Sequence, residues 1–366
     1  MNDNLRTRLL GIDLCRGVAA YAVVLVHSGD EAWGVPISEA AIQFRLMFYF
    51  AVPFFLATAF YFLTRKPTID LSLKFWRSRV QRIVVPYVIW SVIYLIVRSL
   101  FFIIAHKSER LSELFQDPIA LIFFGGASFQ LYFLPLLLAG TSLLLVVKHL
   151  IDRKTSLLGL AVLVLISIAI NGMIDATGNS FQLGEGIAFS SLLQLVPKGA
   201  TYAIFRVILV ELAWVIRCLP YAFGALILHH LLNRLEVFQR CSRSLAILFM
   251  GLFFITATIG KLWLPHSLQE VLVAYFLLAA GILGSNSLKN HKFVASLGAC
   301  SFGIYLIHPI PMSLVKGLIG KVFPALSQQV SIASMLTFSV SSFLLSWLII
   351  SLLSKNKMIG KYMLGS

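Results

Sequence analysis

The chain has 366 residues, 59% of them hydrophobic and 12% charged, with a mean hydropathy of +0.89. Soluble domains carry about 25% charged residues, so these figures exclude an ordinary soluble enzyme, a disordered chain and a secreted disulfide scaffold. Thirty Lys and Arg against fifteen Asp and Glu give a net charge of +15, but the basic residues sit between apolar runs, where membrane proteins collect them, and nucleic acid is not an expected partner.

The pattern predicts an all-α polytopic membrane protein, a bundle of about ten transmembrane helices with re-entrant or interfacial segments. Spans are expected at 9–28, 42–64, 83–104, 129–149, 156–174, 207–231, 244–262, 268–285, 296–315 and 330–353. The first stretch carries Asp13 and Arg16 and has no small-residue cleavage site, so it reads as a span rather than a signal peptide. The stretch 118–128, entered by Asp117-Pro118 and holding Gly125-Gly126, is too short to span. It reads as re-entrant or interfacial, as does 181–204. No repeat, low-complexity tract or hydrophilic linker interrupts the pattern, so 1–366 reads as a single membrane domain with no appended soluble domain. Cys15, Cys218, Cys241 and Cys300 are scattered without a CxxC, which suggests neither a disulfide framework nor a zinc site.

Orientation follows from the basic residues. With the N-terminus cytoplasmic, nineteen of the thirty fall on inner segments and seven on outer ones, while Arg16, Arg45, Arg98 and Arg217 lie within spans. This bias predicts a multi-pass protein with both termini cytoplasmic. The inner segment 65–82 alone has six basic residues against one acid, Asp70.

A charge inside a span costs about 2.5–3.5 kcal/mol on insertion scales, so it calls for a partner or a task. The first span holds Asp13, Arg16 and His27. Arg16 and His27 are eleven residues apart, close to three turns, which puts them on one face about 16 Å apart along the axis. Asp13 lies one turn below Arg16. The stripe fits an active-site lining; it equally fits a structural Asp13–Arg16 pair with His27 at the interface. Asp30 and Glu31 would orient the His27 ring if the helix ran on that far, and otherwise are solvated loop charges.

Gly11-Ile12-Asp13-Leu14-Cys15-Arg16-Gly17 followed by His27 resembles the opening of the acyltransferase 3 family, whose first helix carries an arginine and a histidine with ten residues between them. Three later stretches match in order. Arg79-Val80-Gln81-Arg82-Ile83-Val84-Val85-Pro86-Tyr87 resembles the family's RxxR entry to the third helix. Leu131-Tyr132-Phe133-Leu134 resembles its aromatic fourth-helix segment, and Ser301-Phe302-Gly303-Ile304-Tyr305-Leu306-Ile307-His308-Pro309 its S-[FY]-x-x-Y-L-x-H signature. Ala57-Thr58-Ala59-Phe60 departs from the Ser-Gly often found in the second helix.

The resemblance implies a membrane acyltransferase that uses acyl-CoA, acetyl-CoA by default, as donor substrate. It also implies that Arg79 and Arg82 grip the CoA nucleotide. Guanidinium groups bind phosphate bidentately, although the same pair also suits lipid headgroups. His27, with an imidazole pKa of about 6.5, suits proton transfer from an acceptor hydroxyl or transient carriage of the acyl group. Arg16 suits a phosphate or the developing negative charge on the thioester oxygen. Tyr305 and His308, one turn apart beside Ser301, suit acceptor or acyl positioning, or else a buried hydrogen-bonded pair. Glu211 reads either as a partner of Arg206 or Arg217 or as a lining of the acceptor cavity. His229 and His230 point about 100° apart on a helix, which is poor for one metal. No GxGxxG, Walker loop or HExxH is present, so neither a permanently bound cofactor nor a metal is expected. The reading is transfer of an acyl group to a sugar hydroxyl of a cell-surface polysaccharide or lipid-linked glycan, at the plasma membrane, the inner membrane in a bacterium, among membrane lipids. The rival is a transporter or flippase of an anionic solute or glycolipid.

Overall fold

Every one of the ten stretches marked by hydropathy holds helix in the computed structural model of the chain, which describes residues 8–29, 34–65, 71–177, 196–197, 199–234, 242–288 and 291–364. In chain order the helices are α1 (Leu10–Ser28), α2 (Glu39–Leu46), α3 (Ala51–Thr64), α4 (Leu73–Ile104), α5 (Pro118–Phe123), α6 (Phe133–Thr141), α7 (Leu144–Asp152) and α8 (Leu157–Thr177). They continue with α9 (Ala200–Arg234), α10 (Ser242–Thr258), α11 (His266–Gly284), α12 (Lys292–Ile307), α13 (Pro309–Val322), α14 (Pro324–Gln328), α15 (Ile332–Leu353) and α16 (Lys357–Met363). Among the described residues there is no strand, only an isolated bridge between Ile37 and Val330.

Among the described residues, seven stretches are long and apolar enough to cross a membrane, and α12 with α13, bent by 73°, would make an eighth. Of the expected ten, α10 is short of a full span at 17 residues, and α9 carries Arg206, Glu211 and Arg217 along its length. The segment expected to be interfacial at 181–204 is corrected in part: residues 200–204 are the first turn of α9, and most of the remainder lies outside the described residues. The non-spanning reading of 118–128 fits the short α5, which closes on itself through Gly126 N–H to Ala120 O at 2.8 Å. Gly125 there has a φ of +81°, a backbone region that glycine enters without steric cost.

The surface identifies the solvent. Along α15, Leu336, Val340, Leu344, Leu348 and Leu352 recur every fourth residue and are 39–57% exposed, while Ser339, Ser342 and Ser346 are fully buried. Val88, Val92, Ile96, Leu100 and Ile104 form a similar exposed stripe on α4. A water-soluble helix shows the reverse pattern. Small and polar residues inside with leucines outside suit helices packed in lipid, where close approach rather than the hydrophobic effect drives association.

Two compact units divide the chain, residues 1–61 with 228–356, and 62–227 with 357–366. In the first, α1 packs on α11, α12 and α15. Glycines permit these approaches: a Cβ on Gly11 would lie 1.9 Å from Gly281 O, and one on Gly298 would lie 2.3 Å from the Asp13 Cβ. In the second, α4 packs on α6 and on the C-terminal α16. Tyr87 on α4 clamps the α5 turn, its hydroxyl donating to Leu121 O at 2.9 Å and accepting from Gly125 N–H at 3.0 Å.

Candidate active site

In the first unit, α1 carries the ionisable stripe. Asp13 is buried, and its carboxylate is shared by two guanidinium groups. Arg8, just before the helix, donates its Nε to Asp13 Oδ2 and its Nη2 to Ala295 O. Arg16 stands further off, with Nη1 3.7 Å from Asp13 Oδ1. The expected Asp13–Arg16 pair is therefore the looser half of a triad. Arg8 is not separated from Asp13 by the three or four residues that mark neighbours on a helix, so sequence spacing did not flag it.

Further along α1, the His27 ring stacks on His308, centroids 5.4 Å apart and planes 25° from parallel. His308 sits at the break between α12 and α13 and is fully buried. The break has a chemical cause. Pro309 has no N–H, so the carbonyl of Tyr305, four residues back, lacks its helical donor. His308 Nδ1 fills the place at 2.8 Å from Tyr305 O. A carbonyl only accepts, so Nδ1 carries the proton, and in the neutral ring Nε2 carries the lone pair. Tyr305 packs its ring on Phe55, centroids 6.3 Å apart. The Ser301 hydroxyl donates to Gly298 O at 2.8 Å, a bond within its own helix. Of the ninth-span residues, His308 meets the histidine of α1, and Tyr305 supports it through its carbonyl and ring. Asp30 and Glu31 lie outside the described residues.

In the second unit, Arg82 lines a cavity of about 330 Å³ together with Ser78, Gln81 and Val85 of α4 and Lys361 and Tyr362 of α16. Arg79 is not among them: at 100° per residue it lies roughly 60° round the helix from Arg82. Its Nε is buried without a hydrogen-bond partner. Neither arginine has a carboxylate within ion-pair distance among the described residues, and Arg79 feels the like charge of Arg82. That Lys361 and Tyr362 line this cavity was not legible in the sequence, because a lysine in this position reads as ordinary positive-inside charge.

Glu211 is half-buried on α9 and has no ion pair among the described residues. A pair with Arg206, one of the alternatives for Glu211, is corrected: Arg206 Nη2 donates to Asp117 Oδ2 at 2.7 Å and its guanidinium lies over the Phe124 ring. Asp117 is the better-placed acid because it also caps α5, accepting from Ala120 N–H at 2.9 Å.

Helices with serines inward, leucines outward and an Asp–Arg–His stripe on the first of them define a polytopic membrane protein with an ionisable interior site. The chain belongs to the acyltransferase 3 family, whose acyltransferase domain matches residues 9–351, and it is a membrane acyltransferase. No curated protein and no solved structure matches the chain.

Proposed function

We propose that this acyltransferase moves an acetyl group from acetyl-CoA to a hydroxyl of a sugar in a cell-surface polysaccharide or lipid-linked glycan. The observation that carries the proposal is the contact between His27 and His308, with His308 held in one tautomer by Tyr305 O. Two imidazoles with different partners suit the handling of one proton. His27 takes the proton of the acceptor hydroxyl as its oxygen attacks the thioester carbonyl carbon. The carbon–sulfur bond breaks, and the proton passes to the departing CoA thiolate. Arg16, held only loosely by Asp13, stabilises the negative charge that develops on the thioester oxygen. Asp13, clamped by Arg8, fixes where Arg16 stands. Arg79 and Arg82, cations without carboxylate partners among the described residues, bind the phosphates of the CoA nucleotide. Tyr305 and His308 position the acyl group or acceptor, and Glu211 contributes to the acceptor side.

The protein resides in the plasma membrane with both termini cytoplasmic, where acetyl-CoA is available; the excess of basic residues on inner segments supports this. Labelling of a cysteine placed at Ser366 from the outside of intact cells would overturn the orientation. The function is tested with the purified chain in detergent, supplied with acetyl-CoA and cell-surface glycan fragments. Release of free CoA thiol with matching acetylation of the glycan is expected. Acetyl-CoA left intact in the presence of acceptor would sink the proposal.

A further inference from the structure

The cavity beside Arg82 is built from two parts of the sequence that lie about 280 residues apart (residues 78–85 and 361–362). Its lining holds two cations, Arg82 and Lys361, two neutral hydrogen-bonding side chains, Ser78 and Gln81, and one phenol ring, Tyr362, but no carboxylate. Neither Arg82 nor Lys361 has an ion pair among the described residues, and Lys361 Nζ lies 5.2 Å from the Tyr362 ring centroid. Two like charges facing one cavity repel, and an anion between them removes that cost. The helix that brings Lys361 and Tyr362 is fixed in place: the indole N–H of buried Trp90 on α4 donates to Met363 O at 3.0 Å. A volume of about 330 Å³ is at the low end for small-molecule sites, enough for a nucleotide fragment rather than a whole CoA.

We infer that α16 completes the donor site, Lys361 sharing the nucleotide phosphates with Arg82 and Tyr362 stacking on the base. The inference rests on the reading of Arg82 as a CoA contact and extends it to two residues that no family motif marks. Phosphate oxygens take hydrogen bonds from a guanidinium and an ammonium together, and aromatic rings accept any base on their face. A lipid headgroup offers the phosphate without the base, so Tyr362 separates the two sources.

The test is equilibrium binding of CoA and of inorganic pyrophosphate to the full chain in uncharged detergent. Lys361→Gln is expected to weaken CoA about tenfold or more, as loss of a charge-assisted contact does, and Lys361→Arg to restore it. Tyr362→Leu is expected to weaken CoA severalfold and leave pyrophosphate unchanged. Both side chains are exposed, so melting temperatures should stay at the parent value. If Lys361→Gln and Tyr362→Leu bind CoA like the parent while Arg82→Gln does not, the inference falls and the donor reading stands. If Arg82→Gln also binds CoA normally, the donor reading itself falls. A cavity closed to CoA in phosphatidylglycerol nanodiscs but open in phosphatidylcholine nanodiscs would assign it to a lipid headgroup and overturn the inference.

Discussion

His27 and His308, 281 positions apart in the chain, lie ring against ring at 5.4 Å. One ring is fixed through its Nδ1 to a backbone carbonyl that a proline left vacant, and the other rides on α1, the helix around which the first unit packs. A general base inside a bundle typically contributes about 10²-fold or more. His27→Gln should therefore lose acyl transfer by at least that factor while keeping its melting temperature, since glutamine retains polarity and approximate volume. His27→Ala should be equally inactive. Acyl transfer, CoA binding and melting are measured on one preparation. An active Gln variant would remove His27 from the chemistry and leave His308 as the candidate.

The vacancy at Tyr305 O makes a second prediction. Pro309→Ala returns an N–H to position 309, and that donor competes with His308 Nδ1 for the Tyr305 carbonyl. The ring then loses its fixed tautomer, and kcat should fall about tenfold, with the melting temperature of the same preparation separating this from a loss of fold. Pro311→Ala is the control: it returns an N–H two residues further along α13 and does not touch the Tyr305 carbonyl. Equal activity in both variants would show that the carbonyl bond does not position His308.

Much of this was legible in the sequence. Ten apolar stretches announced the helices, and the three ionisable residues on the first are those the structure places against Arg8 and His308. What escaped has a common physical origin. Arg8 pairs with Asp13 from outside the helix, where no 3.6-residue period applies. Lys361 and Tyr362 join Arg82 by tertiary docking of a short helix, which leaves no periodic signal. Arg206 was offered only as one possible partner of Glu211 on the same helix, whereas it meets Asp117, 89 residues earlier, an acid held in place by Ala120 N–H as well. Arg79 and Arg82 looked equivalent by spacing, yet only Arg82 lines the cavity.

Glycines on α1 make a graded prediction. A Cβ at Gly11 meets backbone, 1.9 Å from Gly281 O, whereas one at Gly17 meets the Leu297 side chain, 2.2 Å from Cγ and 2.3 Å from Cδ2. Backbone cannot step aside without separating α1 from α11, and a leucine side chain can rotate. Gly17→Ala should cost about 1–3 kcal/mol, the usual range for overpacking, and Gly11→Ala more than that. At Gly251 and Gly317 an added Cβ would meet open space, with no neighbouring helix or side chain within 4 Å, so alanine there should be neutral or stabilising by up to about 1 kcal/mol. Melting in detergent orders the four variants. Equal melting temperatures for Gly11→Ala and Gly251→Ala would refute the close approach.

The Asp117–Arg206 pair should give the fold an acid-sensitive component. Partial burial pushes the Asp117 carboxyl up, but hydrogen bonds from Arg206 and from Ala120 N–H outweigh it, so the group titrates below the ordinary carboxylate range. A carboxyl whose folded value is depressed stabilises the fold above its unfolded pKa, about 3.9, and loses that contribution as pH falls through the folded value. At pH 7 the parent should melt above Asp117→Asn, which keeps a capping acceptor for Ala120 N–H but lacks the charge. Asp117→Ala should melt lower still, since losing an N-cap costs about 1 kcal/mol. As pH falls below the unfolded pKa of about 3.9 and through the lower folded value, the parent should converge on Asp117→Asn, because the carboxyl takes up its proton and the ion pair is lost. The side chain is 40% exposed, so solvent screens the pair and the gap at pH 7 should be modest. A difference between parent and Asp117→Asn that stays constant from pH 7 to pH 3 would show that the Arg206 contact contributes nothing through charge.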